Sequence, residues 1–179
     1  MTVLSDFVPD AWIQTFTGRQ FWPLDPNVDD IDVLDIAHAL AMKVRYSGHV
    51  KRFYSVAEHS VHVSRLVPPQ YAFEGLMHDA GEAYLPDVPR PIKPNLVGFK
   101  AIEERIDAAI AAKFLLTFPW PDEVHIADAT ILADEKAAIM GPSPAPWLLP
   151  YPPAGVKIEC WDWEQAKWEF LKRFREVGR

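Results

Sequence analysis

Proline decides where this chain can be helical. Inside a helix it removes a backbone hydrogen bond and clashes with the preceding turn, so the 17 prolines among 179 residues cut the sequence into the intervals that remain. Pro23 and Pro26 close a short aromatic lead (Trp12, Phe16, Phe21, Trp22) that reads as an edge hairpin. Pro68-Pro69 and the run Leu85-Pro86-Asp87-Val88-Pro89-Arg90-Pro91 end two further segments. Residues 137–156 carry no charge and are long enough for a membrane span, but prolines and glycines deny them a continuous helix.

The intervals have helical signatures. Over residues 32–45, Val33, Ile36, Ala37, Leu40, Ala41 and Val44 recur at helical spacing. Ser55-Val56-Ala57-Glu58 has the form of a capping box, with the Ser hydroxyl taking the Glu58 amide and the Glu58 carboxylate reaching back, and predicts a helix to about residue 66. Further helices are expected over 72–84, over 101–115, from Asp122 as cap to 140, and from Asp162 with Gln165 three residues on. Residues 156–159 read as a short strand. The expectation is one all-α domain over 1–179 with minor β-hairpin elements. Its helical core spans about 30–140, and a proline-rich loop (141–155) and a C-terminal helix (162–176) pack on it.

Charge and cysteine content narrow the function. With 25 acidic against 18 basic side chains the net charge is −7, which argues against broad binding to nucleic-acid backbones or anionic membranes. One cysteine, Cys160, excludes an internal disulfide framework and a Cys-rich zinc site. No Lys or Arg precedes Arg19, so no signal peptide is read, and a cytoplasmic protein is expected. The aromatic density (12%) points to a homo-oligomer.

His78-Asp79 sits in the apolar stretch Gly75-Leu76-Met77-His78-Asp79-Ala80-Gly81-Glu82, where burying an imidazole and a carboxylate without a partner would be costly. A divalent cation would satisfy both. His59, on the preceding helix, and Asp128, in an apolar helix downstream, are further candidate ligands. Asp134 competes with Asp128 but lies about 240° away around the helix, whereas Glu135 returns to the face of Asp128. Imidazoles and carboxylates without thiolate make a borderline-to-hard site, suited to Mn, Co, Fe, Zn or Mg. The stretch of residues 43–52 holds Lys43, Arg45, His49, Lys51 and Arg52 and no acid, which fits a small anionic ligand. His38, with Asp35, Met42 and Arg45 on one stripe, reads as structural.

His59…His78-Asp79…Asp128 resembles the H…HD…D signature of HD-domain metal-dependent phosphohydrolases. Phe53-Tyr54-Ser55-Val56-Ala57-Glu58-His59-Ser60 and the run from His78 to Lys93 resemble the 5′-deoxynucleotidase group, and within it the short bacterial and prophage HD proteins of the YfdR type. The resemblance covers roughly residues 12–140. It implies one divalent metal held by His59, His78, Asp79 and Asp128, with Asp79 and Glu82 as catalytic residues and Glu82 moving a proton. Asp87 matches the position that contacts the sugar 3′-hydroxyl. Arg45-Tyr46 stands where the group has an Arg-Trp pair that binds phosphate and excludes a ribose 2′-hydroxyl. Tyr46 in place of Trp weakens that exclusion. Lys93 adds a substrate cation, and Tyr46, Phe53 or Tyr84 could stack on a base.

The resemblance implies hydrolysis of deoxynucleoside 5′-monophosphates to nucleoside and phosphate, with a small nucleotide rather than a polymer as the partner. A triphosphohydrolase releasing tripolyphosphate from a dNTP is the rival enzyme. A silent nucleotide-binding module is the rival of another class, and retention of Glu82 argues against it. Dinuclear oxygenases and cyclic-nucleotide phosphodiesterases use more His ligands after the HD pair than the single His125 found here.

Overall fold

The structure is a computed structural model that describes residues 11–89 and 91–178. Arg90, which the sequence offers with Lys93 as a cation near the His78-Asp79 segment, lies outside the described residues. Among the described residues there are six α-helices: α1 (Val33–Met42), α2 (Val56–Leu66), α3 (Ala72–Met77), α4 (Phe99–Phe114), α5 (Asp122–Ile139) and α6 (Trp163–Val177). Two short strands, β1 (Ile13–Gln14) and β2 (Gln20–Phe21), pair antiparallel with Ile13 opposite Phe21. The chain is mostly α with a minor β element, as the proline-bounded periodicity predicts.

The helix starts follow from side-chain chemistry. Asp32, Ser55 and Asp162 each turn a carboxylate or hydroxyl onto an otherwise orphaned amide, of Leu34 (2.8 Å), Glu58 (3.1 Å) and Gln165 (2.8 Å). Asp122 differs from expectation. Pro121 holds the cap position and Asp122 is the first helical residue, where its charge complements the helix dipole rather than capping an amide.

α2 is the central element and packs against α1, α3, α5 and α6. Every residue from Val56 through Ser64 is buried. Its apolar side chains divide between two clusters. Val56, Ala57 and Val61 join Ile36, Leu40, Leu76, Met77, Ile106 and Phe170. Val63 joins Tyr54, Val124, Ile131 and Ile139. Each large side chain so buried contributes roughly 1.5–3 kcal/mol. The serines of α2 are buried with them and bonded: Ser60 Oγ donates to the Val56 carbonyl (3.0 Å), and Ser64 Oγ to the Ala72 carbonyl (2.6 Å).

Three further expectations change. The helix expected over 72–84 stops at Met77 and resumes as a 3-10 turn over Ala80–Ala83. The His78 ring nitrogen Nδ1 lies 2.9 Å from the Gly75 carbonyl, the acceptor a continuing helix would offer to the Asp79 amide, and the chain bends there. The capping box is half formed. Ser55 caps, but Glu58 does not reach back; its carboxylate accepts the amides of Glu159, Cys160 and Trp161 at 2.9, 2.9 and 2.7 Å. For the same reason residues 156–159 form no strand: their continuation is held by a side chain instead of a ladder.

Candidate metal centre

α2, the bend after α3, and α5 point His59, His78 and Asp128 at one another. One ligand atom from each lies within 4.8 Å of the other two, so the three form a group that could hold a metal ion. His59 Nε2 is 3.3 Å from Asp128 Oδ1. Asp79 stands at the edge of this trio, its Oδ2 3.6 Å from His59 Nε2 and its Oδ1 3.4 Å from His78 Nε2. The residues fit a cation on chemical grounds. His78 Nδ1 is committed to the Gly75 carbonyl, and His59 Nδ1 to Glu135 Oε1 at 2.7 Å. In both rings Nε2 is buried with no well-aligned hydrogen bond, facing carboxylate oxygens 3.3–3.6 Å away. An imidazole whose Nδ1–H is tied to an acceptor presents a lone pair at Nε2, the arrangement that a divalent ion uses.

Arg45 enters the site from the segment after α1. Its guanidinium faces Asp79 Oδ2 (3.4 Å), Glu135 Oε2 (3.5 Å) and Asp128 Oδ1 (4.0 Å). The turn that carries it is unusual: Tyr46 and Ser47 have φ of 54° and 52°, a left-handed conformation uncommon for residues with a Cβ. The Tyr46 hydroxyl donates to Glu135, which fixes the ring. Lys43, two residues earlier, donates to the backbone carbonyls of Glu82 and Leu85 and so ties down the turn that carries Glu82.

Burial and neighbouring charge perturb several groups here. Burial alone would raise the Asp128 carboxyl, but the hydrogen bond and charge of His59, with His78 and Arg45, hold it well below the usual carboxylate range. Burial would likewise raise Glu135, yet Arg45 and His59 bring it down to about 2. Burial and Arg45 oppose protonation of His59, and Glu135 and Asp128 outweigh them, lifting it to about 9, so a cation bound at Nε2 would displace a proton from it. Glu82 moves the other way. Burial, then the charges of Asp79 and Asp87, push it up to about 8. A carboxyl near neutrality beside a metal-ligand group is suited to accept and return a proton.

The other residues singled out from the sequence divide. Asp87 is exposed, but its charge acts on Lys43 and Glu82, so it belongs to the same rim. Lys93 pairs with Glu103 at 2.7 Å. Arg52 donates to the Glu159 carbonyl, so within residues 43–52 the arginine bound to the acidic cluster is Arg45. Tyr84 stacks on Phe21 in the core (centroids 3.8 Å apart), which removes it as a base platform. Phe53 is 39% exposed. His38 stacks on Phe16 at 3.8 Å, in keeping with a structural residue. Asp134 turns away, accepting the amides of Ala154 (2.8 Å) and Gly155 (3.0 Å). Glu135, placed on the Asp128 face by helical spacing alone, is the residue whose importance the sequence conceals. Its four partners come from three distant segments.

No protein-family model matches the chain. Two bacterial proteins resemble it along most of its length. An uncharacterized protein, YfdR, of Escherichia coli K12 is 46% identical over 126 residues, covering 70% of this chain and 71% of that protein. The uncharacterized protein RCAP_rcc00048 of Rhodobacter capsulatus is 33% identical over 149 residues, covering 75% and 76%. The chain belongs to the family of bacterial proteins that these two represent, the YfdR-like family. Among the described residues no helix is long and apolar enough to cross a membrane.

Proposed function

We propose that this chain is a metal-dependent nucleotide phosphohydrolase of the HD-domain type, cleaving 2′-deoxynucleoside 5′-monophosphates to nucleoside and phosphate. The observation that carries the reading is the convergence of the buried Nε2 atoms of His59 and His78 with Asp128, with Arg45 alongside. His59, His78 and Asp128 would hold the ion, with Asp79 at its edge. The ion, when bound, supplies a Lewis acid for a phosphoryl oxygen and for water.

The chain's own groups supply the rest. Arg45 offers a planar, permanently charged donor fork that suits a phosphate. Glu82, with its raised pKa, takes a proton from the attacking water and returns it to the leaving nucleoside oxygen. Asp87 at the rim is the acceptor for a sugar hydroxyl. Lys43 and Arg52 are engaged by backbone carbonyls, and Arg45 is the arginine beside the proposed ligands; one such cation suits a monophosphate better than the tripolyphosphate of a dNTP.

A nucleotide panel with Mn, Co, Mg or Zn, scored by product, tests this. Phosphate from dAMP is expected, with AMP slower by roughly 10–200-fold, the worth of one good discriminator. Tripolyphosphate from dATP with no phosphate from dAMP would replace this reading with the triphosphohydrolase. Nucleotide binding without turnover under any metal would replace it with a binding module.

A further inference from the structure

The proposed reaction gives no task to one buried carboxylate that four side chains around the site engage. Glu135 is fully buried on α5. Its Oε1 lies 2.7 Å from His59 Nδ1 and accepts the Tyr54 hydroxyl at 2.9 Å. Its Oε2 accepts the Tyr46 hydroxyl and lies 3.5 Å from Arg45 Nη2. A carboxylate only accepts, so the Nδ1 facing it must carry the proton, and a neutral His59 is left with its lone pair on Nε2, the edge toward Asp128. The other oxygen holds Arg45 and Tyr46 in a turn whose backbone is left-handed at Tyr46 and Ser47. An arginine in such a turn needs an anchor to keep one orientation, and Glu135 is within reach of its guanidinium.

We infer that Glu135 is a positioning residue that links the metal-binding edge of His59 to the anion-binding guanidinium of Arg45, so that one carboxylate sets the geometry of both. The inference rests on the reading of His59 as a ligand and of Arg45 as the phosphate contact. It adds that the two are coupled. The Tyr54 hydroxyl shares the carboxylate but bonds to neither the His59 ring nor the Arg45 guanidinium, so it serves as the internal control.

The test uses the full chain, with Zn²⁺ and inorganic phosphate as probes. Glu135→Gln should weaken Zn²⁺ binding by about 10–100-fold, the usual effect of losing an outer partner of a ligating His. It should also weaken phosphate binding to the zinc-loaded protein and move the His59 Nδ1–H proton resonance upfield, a signature that a purely structural role would not move. Tyr54→Phe should leave both affinities within about twofold. Tyr46→Phe keeps the carboxylate and should weaken phosphate binding while sparing zinc. Should Glu135→Gln fail to fold, Tyr46→Phe still tests the Arg45 side of the link. Wild-type zinc affinity in Glu135→Gln would overturn the inference, as would phosphate binding that Tyr46→Phe and Tyr54→Phe affect equally. Failure of the wild-type chain to bind zinc at all would instead overturn the metal reading beneath it.

Discussion

Glu58 is the neighbour of His59 in sequence, and Glu135 is its neighbour in space. Both are fully buried carboxylates, yet they engage different kinds of donor. Glu58 accepts three consecutive backbone amides, of residues 159–161, and sits 3.4 Å from His62. Glu135 faces side chains only: an imidazole, a guanidinium and two phenols. Backbone donors are fixed by the fold, so Glu58 acts as a staple that brings the segment before α6 onto α2. Side-chain donors have alternatives, so Glu135 selects among rotamers and tautomers. Burying a carboxylate is costly in both places. In one it holds distant backbone in place, and in the other it joins the side chains of the candidate metal centre. Asp128 and Asp134 repeat the contrast on α5, one facing His59 and the other the amides of Ala154 and Gly155.

The largest effect expected on the reactive side is loss of the metal itself. Asp128→Ala removes one of the three converging ligands, and its metal affinity should fall by more than the roughly 10–100-fold typical of an outer partner. Metal content after purification and chelator competition measure it, and equal stoichiometry in variant and wild type would break the assignment. Next comes Glu82→Gln, which leaves every proposed ligand in place. It should bind metal normally and lose about 10²–10⁴-fold in hydrolysis. Turnover within a few-fold of wild type would reduce Glu82 to a packing partner of the bend after α3.

Local chemistry made much of this legible in the sequence. Ser55 and Asp162 cap helices because a short polar side chain before an apolar run has one good use there. His59, His78 and Asp128 were readable as a cluster because polar groups in apolar helices require partners. What could not be read depends on distant chain. The amides that claim Glu58 lie 101–103 residues away, so local spacing favoured a capping box that the fold overrides. The bend after Met77 depends on a histidine contacting a carbonyl three residues back, which periodicity does not report. Helical spacing put Glu135 on the Asp128 face, but its partners on α2 and in the turn after α1 were invisible.

Glu58→Gln sharpens the comparison from the staple side. The amide keeps one acceptor but turns an NH₂ toward backbone N–H groups, losing charge-assisted bonds and leaving a donor unmet. The expected cost is about 2–3 kcal/mol, or a fall of roughly 4–12 °C in Tm for a chain of this size. The folded fraction should keep its metal and its turnover. Activity lost in proportion to metal, with stability unchanged, would mean that Glu58 belongs with Glu135 rather than opposite it.

Asp134→Asn is the smallest of these changes and the most discriminating, because Asp134 is one residue from Glu135 and six from Asp128. Its carboxylate is 9% exposed and holds the end of the proline-rich loop, where Gly155 takes a φ of 79° that favours glycine. Asparagine retains one oxygen for one of the two amides, so about 1 kcal/mol of stability should be lost, a shift of roughly 2–4 °C. Metal affinity and hydrolysis should stay at wild-type values, since the residue turns away from the imidazoles. If Asp134→Asn releases the metal and Asp128→Ala keeps it, the two carboxylates have exchanged roles. The contrast between amide-bound and side-chain-bound acids would then fail on the helix where it is drawn most closely.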